Sequence, residues 1–119
     1  INGTGKYNSV RGSIVMKYSQ LIGIEPISNE IPNRYKLFQN YPNPFNPKTK
    51  IKFDVPKRGF VKLLLYDILG KELKTIVNEE LKPGVYEIDF DGSSLSSGAY
   101  FYKLISGDFE DTKKMIIVK

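Results

Sequence analysis

An antiparallel all-β sandwich is the fold class this sequence predicts, and three observations predict it. Past residue 35, apolar and polar residues alternate in short runs, the period of strands with one buried face. Turn signals recur between the runs at the spacing of a sandwich: Pro56-Lys57-Arg58-Gly59, Asp67-Ile68-Leu69-Gly70, Lys82-Pro83-Gly84, Asp91-Gly92-Ser93-Ser94 and Ser106-Gly107-Asp108. No stretch holds a helical period over three turns. Together these predict an immunoglobulin-like sandwich of about seven strands, preceded by an extra N-terminal strand and a linker.

Residues 1–22 open with a Gly/Asn-rich turn and continue as a strand, with Ile14, Met16 and Tyr18 on one face and Val15 and Lys17 on the other. One strand buries little alone, so it completes a sheet in this domain, in an upstream domain or in a neighbouring molecule. The start has no basic region followed by an apolar core and no initiating Met, and it reads as the tail of something longer. Residues 23–34, with Gly23, Pro26 and Pro32, read as an extended linker. Its Ile24, Ile27 and Ile31 are more apolar than a free tether needs, which predicts that part of it lies on the sandwich.

The sandwich domain is expected over 35–119, with a first short strand at Tyr35–Gln39. Then comes the stretch on which the chain turns, Tyr41-Pro42-Asn43-Pro44-Phe45-Asn46-Pro47. Its prolines fix φ near about −65°, remove backbone donors and push the preceding residues toward extended conformations. Neither a helix nor a central strand tolerates them. Asn43 and Asn46 can close Asx turns on their own backbone, and Tyr41 and Phe45 are anchors for docking. The segment reads as a stiff, pinned connector.

Lys48–Val55 points Thr49, Ile51, Phe53 and Val55 inward and Lys48, Lys50, Lys52 and Asp54 outward. Phe60–Tyr66 is apolar on both faces, as a central strand is. Gly70 closes the next turn. Lys71–Asn78 is a less regular strand, with Leu73, Ile76 and Val77 as its buried residues. Gly84 follows Pro83 as in a type II turn, and Val85–Phe90 turns Tyr86, Ile88 and Phe90 to one face. Leu95 plugs the loop ahead of Gly98. Ala99–Ile105 sets Tyr100 and Tyr102 opposite Phe101, and Phe109–Lys119 is the last strand.

Composition removes most catalytic machinery. The chain of 119 residues is 40% hydrophobic and 13% aromatic, enough for one sandwich core, and has neither cysteine nor histidine. Disulfides, thiol nucleophiles, Ser-His-Asp triads and histidine-ligated metals are therefore excluded. The paired-carboxylate hydrolase chemistry that remains needs a sugar cleft nothing here suggests. Asp89 and Asp91 share a face but lack the ligand spacing of a calcium loop. No catalytic residue, metal or cofactor is expected. The net charge of +5 is scattered, and Lys48, Lys50 and Lys52 fit an edge strand guarded against pairing better than a nucleic-acid groove. The apolar runs are too short to span a bilayer.

The ordered blocks closely resemble a known family, the type A C-terminal sorting domain of the type IX secretion system. They are Tyr41–Pro47 followed by Thr49-x-Ile51-x-Phe53-x-Val55-Pro56, then Val61–Gly70, Pro83-Gly84, Leu95–Leu104 and Thr112–Lys119. The resemblance covers 35–119. It implies a non-enzymatic module at the end of a cargo protein, directing it from the periplasm across the outer membrane of a Gram-negative bacterium. A surface sortase commonly removes such a domain and attaches the cargo to the cell surface. The expected partners are thus the secretion machinery, the sortase and a preceding cargo. The expected recognition residues are Lys113, Lys114, Met115, Ile116, Ile117, Val118 and Lys119. The shape-holding residues are Tyr41 to Pro47 with Gly70, Gly84 and Gly98. Residues 7–22 resemble the closing strand of a β-propeller-type repeat. The alternative is a filament subunit that donates its N-terminal strand, with Ile14, Met16 and Tyr18 inserted into a neighbouring copy. Carbohydrate binding on the Tyr100–Tyr102 face is a third class.

Overall fold

A computed structural model describes residues 24–28 and 30–119. The expected N-terminal strand with Ile14, Met16 and Tyr18 lies outside the described residues. Seven strands follow: β1 (Lys36–Leu37), β2 (Lys48–Val55), β3 (Gly59–Tyr66), β4 (Glu72–Leu81), β5 (Gly84–Asp91), β6 (Gly98–Ser106) and β7 (Phe109–Ile117). They form two sheets, β1-β2-β5 and β4-β3-β6-β7, with every neighbouring pair antiparallel. This is the immunoglobulin-like sandwich the alternation predicts. It departs from the constant-domain arrangement in its fourth strand, which joins the sheet of the third. The tight turn after Tyr66 keeps β4 beside β3, with Asp67 N donating to Lys71 O at 2.9 Å.

The core forms between the two inner faces. Thr49, Ile51, Phe53 and Val55 of β2 are buried in strict alternation, as are Tyr86, Ile88 and Phe90 of β5. Phe53 and Tyr86 stack with ring centroids 5.4 Å apart. Val61, Leu63, Leu65, Val77, Leu81, Tyr102, Leu104, Met115 and Ile117 fill the space from the other sheet. Each such side chain contributes about 1.5–3 kcal/mol by leaving water. Leu95 packs on this core from the β5–β6 loop. At the start of β6, Tyr100 OH donates to Ser96 O at 2.8 Å, the tyrosine corner of immunoglobulin-like folds.

Three expectations are corrected. Leu73 is 39% exposed rather than buried. Register shifts at Leu63/Leu64 and Leu65/Tyr66 interrupt the pleat, so Glu72 to Thr75 all face solvent and burial resumes at Val77. The fourth strand also runs on to Leu81. Finally, β2 is an interior strand of its sheet, so its lysines guard no edge. Lys50 pairs with Asp89 of the neighbouring strand at 2.7 Å, and the Lys52 and Lys36 ammonium groups lie 4.7 and 4.5 Å from the Phe38 ring centroid.

The linker meets the sandwich at the β4–β5 corner. Ile27 N donates to Val85 O at 2.7 Å, Ile24 packs on the core, and Glu25 pairs with Lys82 at 3.0 Å. Ile27 and Ile31 remain exposed. Gly84 permits this docking: a Cβ there would lie 2.6 Å from Pro26 Cβ.

Strand direction gathers most of the sequence motifs at one end of the sandwich, with Pro83-Gly84 at the other. The start of β2, the ends of β3, β5 and β7, and the start of β6 all meet there. The opposite end carries Tyr35, the turns at 56–58, 82–83 and 107–108, and the docked linker.

Candidate functional site

The proline stretch is the crossing from one sheet to the other. After β1, the chain still follows β2: Phe38 N donates to Lys52 O, and Tyr41 and Lys50 exchange backbone bonds at 3.0 Å. Four residues on, Phe45 pairs in parallel with Ile117 of β7. Phe45 N donates to Ile116 O and Val118 N donates to Phe45 O, each at 3.0 Å. Prolines occupy positions 42, 44 and 47, where no ladder donor is needed. The residues between them make the bonds. The peptide bonds before all three prolines are cis.

Phe45 and Tyr41 behave differently. Phe45 is 2% exposed and meets Phe90 edge-on at 6.2 Å, whereas the Tyr41 side chain is 81% exposed. The expected pair of anchors is therefore one anchor, Phe45, and Tyr41 serves through its backbone. Asn43 closes no local turn either. Its Oδ1 accepts from Ile116 N at 2.9 Å, across 73 residues of sequence. Asn46 is exposed.

Beneath the loop lies a buried polar cluster. Asn40 Nδ2 donates to Thr49 Oγ1 at 3.0 Å and to Pro42 O at 3.1 Å, and Thr49 Oγ1 donates to Pro42 O at 2.8 Å. Tyr102 OH accepts from Asn40 N and donates to Phe38 O, both at 2.7 Å. Burial pushes the Tyr102 hydroxyl up to about 12, since its phenolate would lie in the core. These bonds satisfy a loop whose prolines leave carbonyls without ladder partners. Asn40 carries no sequence signal of a site residue, and Tyr102, placed by the carbohydrate reading on an exposed Tyr100–Tyr102 face, is instead fully buried in this cluster. Thr49, a hydroxyl in a row of inward apolar residues, was the available signal.

The C-terminal strand is gripped along its outer edge. Besides the bonds at Ile116 and Val118, Gln39 Nε2 donates to Lys114 O at 2.6 Å. Lys119 N donates to Ser97 Oγ at 3.0 Å, and its ammonium to Ser93 O at 2.7 Å. The residues expected for recognition divide by depth. Met115 and Ile117 belong to the core, Lys113 and Ile116 are half-buried, and Lys114, Val118 and Lys119 face solvent. Gly92 sits under the loop, its N–H donating to Pro47 O at 2.8 Å. A Cβ there would stand 3.0 Å from Ile117 Cδ1 and 3.3 Å from Phe45 Cε2. Asp91 turns onto Ser93, whose hydroxyl and backbone N–H hold its carboxyl below the usual range. Gly98 starts β6 opposite Ile117. Gly70 lies in the neighbouring turn, Gly84 at the far end under Pro26. Sequence positions far apart thus form one surface, the motif end.

This arrangement is a folded surface with an edge already occupied. The residues 39–118 match the family model described as a secretion system C-terminal sorting domain. A search of curated proteins found no match. The matched span begins at Gln39, which holds Lys114 O, and ends at Val118, which bonds Phe45, so it encloses both partners of the clamp. The chain belongs to the family of type IX secretion C-terminal sorting domains.

Proposed function

We propose that residues 35–119 direct a preceding cargo across the outer membrane to the cell surface, and that the secretion machinery reads the motif end as a folded surface. The observation that carries this reading is the mutual grip of the proline loop and the last strand. With its outer edge bonded at Lys114, Ile116 and Val118, the end of β7 offers no free ladder for capture as an extended peptide. What a partner meets instead is the solvent side of Lys114, Val118 and Lys119. Met115 and Ile117 act from below, by holding that surface in place. A surface sortase then releases the domain by cutting upstream of it. Residues 23–34 serve as the linker and residues 1–22 as the end of the cargo.

The test is export of a fluorescent reporter fused ahead of the whole chain, behind a periplasmic leader, in a bacterium with a type IX system. The parent fusion is expected at the cell surface or in the medium. Lys114→Glu/Lys119→Glu, which leaves the core intact, is expected to leave the reporter in the periplasm. Periplasmic retention of the parent fusion itself would sink the proposal.

A further inference from the structure

One feature of the motif end has no partner within the domain. In the turn after β3, Ile68 is 65% and Leu69 90% exposed, the latter the most exposed large apolar side chain among the described residues. The turn beneath them is fixed. Gly70 N donates to Asp67 O at 3.0 Å, and Asp67 Oδ1 accepts from Leu69 N and Lys71 N at 2.9 Å each. Gly70 completes it at a φ of 89°, where a side chain would be strained. Folding does not require aliphatic side chains at positions 68 and 69, since polar residues close such turns equally well. Two apolar groups carried on a fixed turn in water are the makings of a binding anchor, because the backbone's ordering entropy is lost before any partner arrives.

The charges around the turn differ in how they are engaged. The Asp67 carboxylate is taken up by backbone N–H groups, Glu72 lies 3.5 Å from Thr75 Oγ1, and the Lys74 charge reaches Asp91. Lys71 and Lys74 are exposed and neither enters an ion pair among the described residues, though the Lys74 ammonium lies 5.8 Å from the Phe90 ring centroid.

We propose that the Asp67–Gly70 turn is a preformed anchor for a protein of the secretion machinery. Ile68 and Leu69 enter an apolar socket on that protein, and Lys71 and Lys74 meet carboxylates on its lip. The inference rests on the sorting reading and names the chemistry of the partner. A bilayer is the poorer fit. The two side chains bring about eight carbons, fewer than a myristoyl chain, which by itself holds a protein to a membrane only marginally. In a protein socket the same groups are fully enclosed, and one buried aliphatic side chain is worth about tenfold or more in affinity.

The reporter fusion to the whole chain tests this with Ile68→Ser/Leu69→Ser. Export is expected to fall about tenfold or more, while the melting temperature of the purified variant stays within a few degrees of the parent, as for exposed positions generally. Ile68→Val/Leu69→Met is expected to restore export, and Lys71→Glu/Lys74→Glu to reduce it. Normal export of the serine variant, with the parent exported, would overturn the anchor and leave the sorting reading standing. Failure of the parent to be exported would overturn both. Phosphatidylglycerol vesicles provide the other arm: binding by the purified parent that the serine variant loses would make a bilayer the partner and overturn the protein socket.

Discussion

The two ends of the sandwich are closed in different ways. At the linker end, turns of two or three residues at 56–58, 82–83 and 107–108 close the strands, the first two by crossing from one sheet to the other, and the docked segment is held by a backbone bond at Val85 and the pair of Glu25 with Lys82. At the motif end, closure depends on partners far apart in sequence: Asn43 with Ile116, Phe45 with Val118, Asn40 with Tyr102. Local closure tolerates substitution, because each turn concerns only its own residues. Closure across the fold does not, because each bond presupposes two sheets in register. That difference explains why the long motifs of this sequence crowd one end, and it orders the expected effects of mutation.

The largest effect belongs to Phe45. Replacing its buried ring by alanine should cost about 3–5 kcal/mol, while Tyr41→Ala, four residues earlier and largely in water, should change stability by no more than about 0.5 kcal/mol. Denaturant unfolding of both variants measures the contrast. Equal losses would erase the distinction between anchor and bystander. Next comes the polar cluster. Asn40→Ala leaves Tyr102 OH in place but strips Thr49 Oγ1 and Pro42 O of a donor, and should cost about 1–3 kcal/mol. A double-mutant cycle with Thr49→Val should show coupling between the two positions.

Alkali should loosen both ends together. Tyr102 sits at about 12 against an ordinary value of 10.0, and burial raises Tyr86 as well. Above pH 10 the unfolded chain therefore releases phenolic protons that the folded chain retains, so stability must fall as pH rises through that window. It should be insensitive to these groups below pH 10. Tyr102→Phe should shrink the alkaline drop without abolishing it, since Tyr86 remains. The smallest effect is expected at the linker end, where Glu25→Gln breaks an ion pair that is half in water. Thermal unfolding should register no more than about 0.5 kcal/mol.

Much of this was legible in the residues. Period-two alternation places Thr49, Ile51, Phe53 and Val55 inward correctly, because a strand's faces are set by its own sequence. It does not say which strand lies alongside. Hence Lys48, Lys50 and Lys52 read as edge lysines although β2 lies inside its sheet. Leu73 read as buried because two bulges in the pairing of β3 with β4 leave no local trace. At the site, the proline loop is legible as a pinned connector and the last strand as a strand. The bonds between them are not. An asparagine side chain reaches a local amide and one 73 residues away with equal ease, and only the fold decides which.

Amide hydrogen exchange at Ile116 and Val118 tests that grip most directly. Both N–H groups lie on the outer edge of the last strand and, among the described residues, are bonded through Asn43 and Phe45 alone. In the intact domain both should be protected like amides of the β6–β7 ladder. Phe45→Ala should release Val118, and Asn43→Ala should release Ile116, each by more than it lowers the protection of the ladder. Exchange of both at unprotected rates in the intact domain would contradict the account, leaving the end of β7 an open edge.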